Sequence, residues 1–128
     1  MSRIDEIEAK IRDLENRIRE YNGVISELED VYDYIAERKT DIEKDFYSPV
    51  YSFDMTQCDE WRGDREKEGE NMQKEICKQT RQGLDDTARL LEDILKAIEN
   101  LKELIRQCGE EITSLQAERE LLMAVEGN

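Results

Sequence analysis

Large apolar side chains recur from Ile4 to Phe46 at alternating intervals of three and four, through Ile7, Ile11, Leu14, Ile18, Tyr21, Ile25, Leu28, Tyr32, Ile35 and Ile42, with Lys39 as the polar exception. A period of about 3.5 residues keeps such a stripe against a neighbouring helix through left-handed supercoiling. A second run does the same: Leu84, Thr87, Leu91, Ile94, Ile98, Leu101, Ile105, Cys108, Ile112, Leu115, Arg119 and Leu122. Two such stripes in 128 residues predict an all-α chain, an elongated, coiled-coil-like antiparallel helical hairpin. Charged residues make up 41% of the chain and hydrophobic ones 38%, which suits long, thinly packed helices better than a thick core.

Local signals place the boundaries of a single domain over residues 1–128. Ser2, followed three residues later by Asp5, is a variant capping box that starts a helix at about residue 3. Pro49 disfavours helical geometry at Ser48, so the first helix is expected to end near residue 46. An irregular connection follows over 47–63. A second helix is expected over 64–125, with only a thin stripe of Met72 and Ile76 in its first third and a candidate interruption at Gln82-Gly83. Asn22-Gly23 reads as helix interior, because the heptad phase runs through it.

Antiparallel pairing places Ile4 opposite Leu122 and Lys39 opposite Thr87, the latter a polar layer that sets the register. It also brings Arg3 beside Glu118, Lys10 beside Glu111 and Glu29 beside Lys102. Parallel pairing between two chains is also complementary, through Arg3 with Glu8 and Lys10 with Glu15, but the hairpin is the expected arrangement.

The chain contains no His, which excludes Ser/His/Asp and Cys/His catalysis and the Glu-x-x-His ligands of helical di-iron sites. No glycine-rich phosphate loop occurs, and the shared face of Glu66 and Glu70 reads as solvated surface. A non-catalytic protein with neither metal nor cofactor is expected. A net charge of −14 opposes binding to nucleic acid and to anionic membranes. The absence of a long apolar run and of an apolar leader after Met1 predicts a cytoplasmic protein. Cys58, Cys77 and Cys108 form no Cys-x-x-Cys pair and are expected to be reduced thiols.

Trp61-Arg62-Gly63 near the midpoint, between two long helical patterns in an acidic chain, resembles the Trp-x-Gly (WXG/Esx-like) superfamily of helical-hairpin proteins handled by type VII secretion. The long helices look most like the YwqH-like proteins associated with LXG toxins. The resemblance implies that Trp61 packs across the bend, that Gly63 permits the tight backbone there, and that the chain binds the helical N-terminal domain of an LXG-type toxin as an adaptor or targeting chaperone. It further implies a hetero-oligomer or a homodimer, another small helical protein as a further partner, and export with the partner without a cleaved signal peptide. Leu90, Leu95, Ala97 and Leu104 widen the second apolar stripe beyond a two-helix seam and are the candidate contact residues. A prefoldin-like chaperone subunit, which calls for β-hairpins within 47–60, and a homomeric structural coiled coil are the alternatives.

Overall fold

A computed structural model describes residues 2–54, 56 and 63–127. The fold is an all-α helical hairpin, with α1 over Arg3–Ile42, a π-helical segment over Glu43–Tyr47, α2 over Ser48–Ser52 and α3 over Asp64–Glu126. The first helix starts where Ser2 can cap it: its Oγ accepts from the Asp5 amide at 3.1 Å, and its carbonyl accepts from the Glu6 amide at 3.2 Å. The second starts at Asp64, with Asp64 and Glu66 in the electropositive first turn. It runs through Gln82-Gly83 without a break, which corrects the candidate interruption there. Its neighbours are strong helix formers, and one interior glycine costs only about 1 kcal/mol against alanine.

Gly63 has φ +68°, in the left-handed region, and its carbonyl accepts the Lys67 amide at 3.1 Å. Among the described residues a β-carbon added at Gly63 meets nothing within 4 Å, so the penalty argued for substitution is that of the backbone. Gly63→Ala is therefore expected to cost about 1–2 kcal/mol, read as a lower midpoint in denaturant. An unchanged midpoint would show that the backbone there relaxes freely. Trp61 lies outside the described residues, and so does its expected packing across the bend.

The helical path continues past residue 46, where the sequence predicted a stop, as far as Ser52. Pro49 has no amide to donate, and its ring would meet the carbonyl four residues back in a regular α-helix. The chain accommodates it by widening: the Ser48 amide donates to the carbonyl of Glu43, five residues back, so Pro49 enters the first turn of a new short helix. The extra residue shifts the seam phase. Ile42 and Phe46, on the original heptad, are exposed, while Glu43, Tyr47 and Val50 are half-buried in their place.

The chain divides into two compact units, one of residues 1–30 with 95–128 and the other of residues 31–94. In the first, Ile7, Ile11 and Leu14 of α1 pack with Cys108 and Leu115 of α3, and Ile18, Tyr21, Ile112 and Leu122 close around them. Pairing of early with late residues makes this an antiparallel pair. In the second unit Leu84, Leu91 and Ile94 are buried along α3, and the α1–α2 strip runs antiparallel to it.

Candidate functional site

In the unit of residues 1–30 and 95–128, the end of the pair is fastened by Arg3, whose Nε and Nη2 donate to Glu118 Oε1 and Oε2 at 3.0 and 3.3 Å. That bidentate bond holds the Arg3 guanidinium pKa above its ordinary value. Lys10 and Glu111 line one surface depression, as the register requires. Lys102 instead pairs with Glu99 on its own helix at 3.7 Å, so the expected Glu29–Lys102 pair is absent from the described ion pairs; the nearer carboxylate one turn away captures the flexible lysine. The Nε of half-buried Arg119 has no hydrogen-bond partner among the described residues.

The four proposed contact residues do not form one face. Within the unit of residues 1–30 and 95–128, Ala97 and Leu104 lie seven residues apart along one edge of the seam and Leu95 on the other. Leu90 belongs to the unit of residues 31–94 and the other three to its companion. Leu90, Leu95 and Leu104 are exposed, whereas Ala97 is half-buried. Near the C-terminus Leu121, Met123 and Val125 are more exposed still.

In the unit of residues 31–94, Lys39 and Thr87 line the same depression but do not bond to each other. Lys39 Nζ donates to Glu43 Oε1 at 2.6 Å, which holds the Glu43 carboxyl below its ordinary value. Thr87 Oγ1 donates to the Gly83 carbonyl at 2.9 Å. Each polar group is satisfied within its own helical run, and no bond between Lys39 and Thr87 crosses the pair.

Gln73, which the apolar periodicity gave no reason to single out, ties this unit together. Its Nε2 donates to the carbonyls of Val50 at 2.6 Å and Phe53 at 2.7 Å, capping the C-terminal end of α2 from across the pair. The available signal was the proline-interrupted helix end, whose last carbonyls need donors. Gln73→Leu keeps the bulk and removes the donor. These carbonyls are partly reached by water, so the expected cost is about 1 kcal/mol, at the low end for a stranded acceptor. Faster amide exchange over 48–53 is the readout, and unchanged exchange would contradict the capping role.

Two surface depressions flank this clasp. One, of about 440 Å³, is apolar and lined by Pro49, Val50, Phe53, Gly69, Met72 and Ile76. The other, of about 500 Å³, carries Tyr47, Tyr51, Lys74, Cys77, Lys78 and Arg81. Phe53 and Gln73 border both.

Comparison with protein-family models, with curated proteins and with solved structures finds no match to this chain. The physical surface therefore carries the functional argument. Among the described residues, no helix is long and apolar enough to cross a membrane, and no three metal-ligating side chains converge.

Proposed function

We propose that this chain is a non-catalytic helical adaptor of the Trp-x-Gly type that binds the helical N-terminal domain of an LXG-type toxin, or a similar helical substrate, and delivers it to a type VII secretion machine from the cytoplasm. One observation carries the binding half of this reading. Each unit buries an apolar seam of its own and still leaves large apolar side chains outside it: Leu95 and Leu104 in one, Phe53 and Met72 in the other. Such side chains, on helix flanks or, for Phe53, just past the end of α2, offer the complementarity that an amphipathic helix uses when it docks along a groove. The secretion half rests on the resemblance of Trp61-Arg62-Gly63 and its setting.

The described part of 47–60 is helical through Ser52 and holds no strand, which lends no support to a prefoldin-like subunit. A homomeric coiled coil remains the second reading, and the intramolecular Arg3–Glu118 pair supports the hairpin over parallel pairing of two chains.

Capture of the tagged protein from its native cells, followed by identification of the bound protein and native mass of the complex, tests the adaptor reading. A substrate with a helical N-terminal domain in fixed stoichiometry is expected. A pure homodimer, or a mixture of unfolded clients, overturns it. Trp61→Ala is expected to lower the melting midpoint or abolish that capture, and no change in either would show that Trp61 does not anchor the bend.

A further inference from the structure

The depression bounded by Tyr47, Tyr51, Lys74, Lys78 and Arg81 runs against the electrical character of the chain. Among the described residues three cations and no carboxylate line it, although the protein carries a net charge of −14. Lys74, Lys78 and Arg81 recur at helical intervals along one flank of α3, so their charges act together. Among the described residues Lys74 and Lys78 make no ion pair, whereas Arg81 is held by Asp85 at 3.0 Å. Opposite them the Tyr47 and Tyr51 rings stack with centroids 5.8 Å apart, and the Arg81 guanidinium lies 5.9 Å from the Tyr47 ring centroid. Tyr51 is 67% exposed, an open aromatic surface beside uncommitted ammonium groups.

We infer that this cleft docks an acidic peptide segment bearing an aromatic or large aliphatic anchor, with Lys74 and Lys78 meeting its carboxylates and Tyr47 and Tyr51 its anchor. The inference rests on the adaptor reading and names the chemistry of the partner surface that reading requires. The acids nearest the cleft are already engaged, Asp85 by Arg81, Glu43 by Lys39 and Glu75 by Gln79, which leaves Lys74 and Lys78 to face an incoming carboxylate. Salt screens charges beyond about 8 Å under physiological conditions, so a segment seated in the cleft responds chiefly to the side chains lining it. A nucleic acid fits worse, because its regular phosphates extend past three cations onto acidic surface and lose there what they gain in the cleft. Gln73 borders the cleft and is bonded to the end of α2, which holds the aromatic wall in place without a ligand.

The test uses the full chain and two fluorescein-labelled helical peptides that share one Leu/Phe face, one flanked by Glu and the other by Lys, with binding read as anisotropy. The Glu peptide is expected to bind more tightly, to weaken as salt rises, and to lose about tenfold in affinity on Lys74→Glu/Lys78→Glu, with melting unchanged. Tyr51→Ala is expected to weaken the same peptide without altering its salt dependence. Preference of the wild-type chain for the Lys peptide overturns the inference, because the net charge then governs. Glu-peptide binding indifferent to the lysine reversal also overturns it, as does binding of a thymidine oligonucleotide through the same lysines. If capture of the natural partner survives the lysine reversal, this inference falls and the adaptor reading stands. If the wild-type chain captures no helical partner, the adaptor reading falls, whatever the peptides do.

Discussion

Ile7→Ala is expected to destabilise the fold by about 2–5 kcal/mol. Ile7 is 0% exposed and sits in the cluster with Ile11, Leu14, Cys108 and Leu115, so truncation removes buried methyl groups and leaves a gap that helices on both sides must close. A chain of this length has roughly 6–19 kcal/mol of stability to lose, which makes the change large. Leu121→Ala is the control: Leu121 is 70% exposed, and its truncation is expected to move the denaturation midpoint little. Equal effects from the two substitutions would mean that the seam is not where the structure puts it.

The second large effect is expected from Leu84→Ala, in the unit of residues 31–94. Leu84 is 3% exposed and lies with Ile35 beside the polar pair Lys39 and Thr87. Its loss is expected to cost about 2–5 kcal/mol, because the flanking polar groups cannot fill the space apolarly. Amide exchange is expected to rise most within 31–94 for this variant and within 1–30 and 95–128 for Ile7→Ala. Reversal of that pattern would contradict the assignment of the two cores.

Periodicity made the hairpin legible, because a seam repeating every 3.5 residues or so has few ways to be buried. Local chemistry made the helix starts legible too, through the Ser2 cap and the acidic turn after Gly63, while the Arg3–Glu118 clasp follows from the antiparallel register. The stretch around Pro49 was less legible. A proline read alone ends a helix, and only the energetics of the surrounding turns decide whether the backbone widens instead. That choice moved Ile42 and Phe46 out of the seam and brought Tyr47 and Tyr51 opposite the α3 lysines. Gln73 was illegible for a related reason: its role exists only because a helix end was placed across from it.

Candidate contact residues were legible as surplus apolar positions but not as a surface. A widened stripe says that Leu90, Leu95, Ala97 and Leu104 exceed the needs of one seam; Leu90 falls in one unit, and in the other helix geometry separates Leu95 from Ala97 and Leu104. Net charge says nothing of how charges are grouped. A net charge of −14 describes the whole chain, while the Lys74, Lys78 and Arg81 flank is locally the opposite.

The claim beneath every functional statement is that one chain completes its own seam and leaves its flanks free. Zero-length carbodiimide cross-linking of an equal mixture of unlabelled and isotope-labelled protein tests it, through the Lys10 and Glu111 side chains that line one depression. A single-chain hairpin predicts Lys10–Glu111 links made only of two unlabelled or two labelled halves. Links that join a labelled half to an unlabelled half in statistical proportion would show that the helices pair between chains, and would contradict the hairpin.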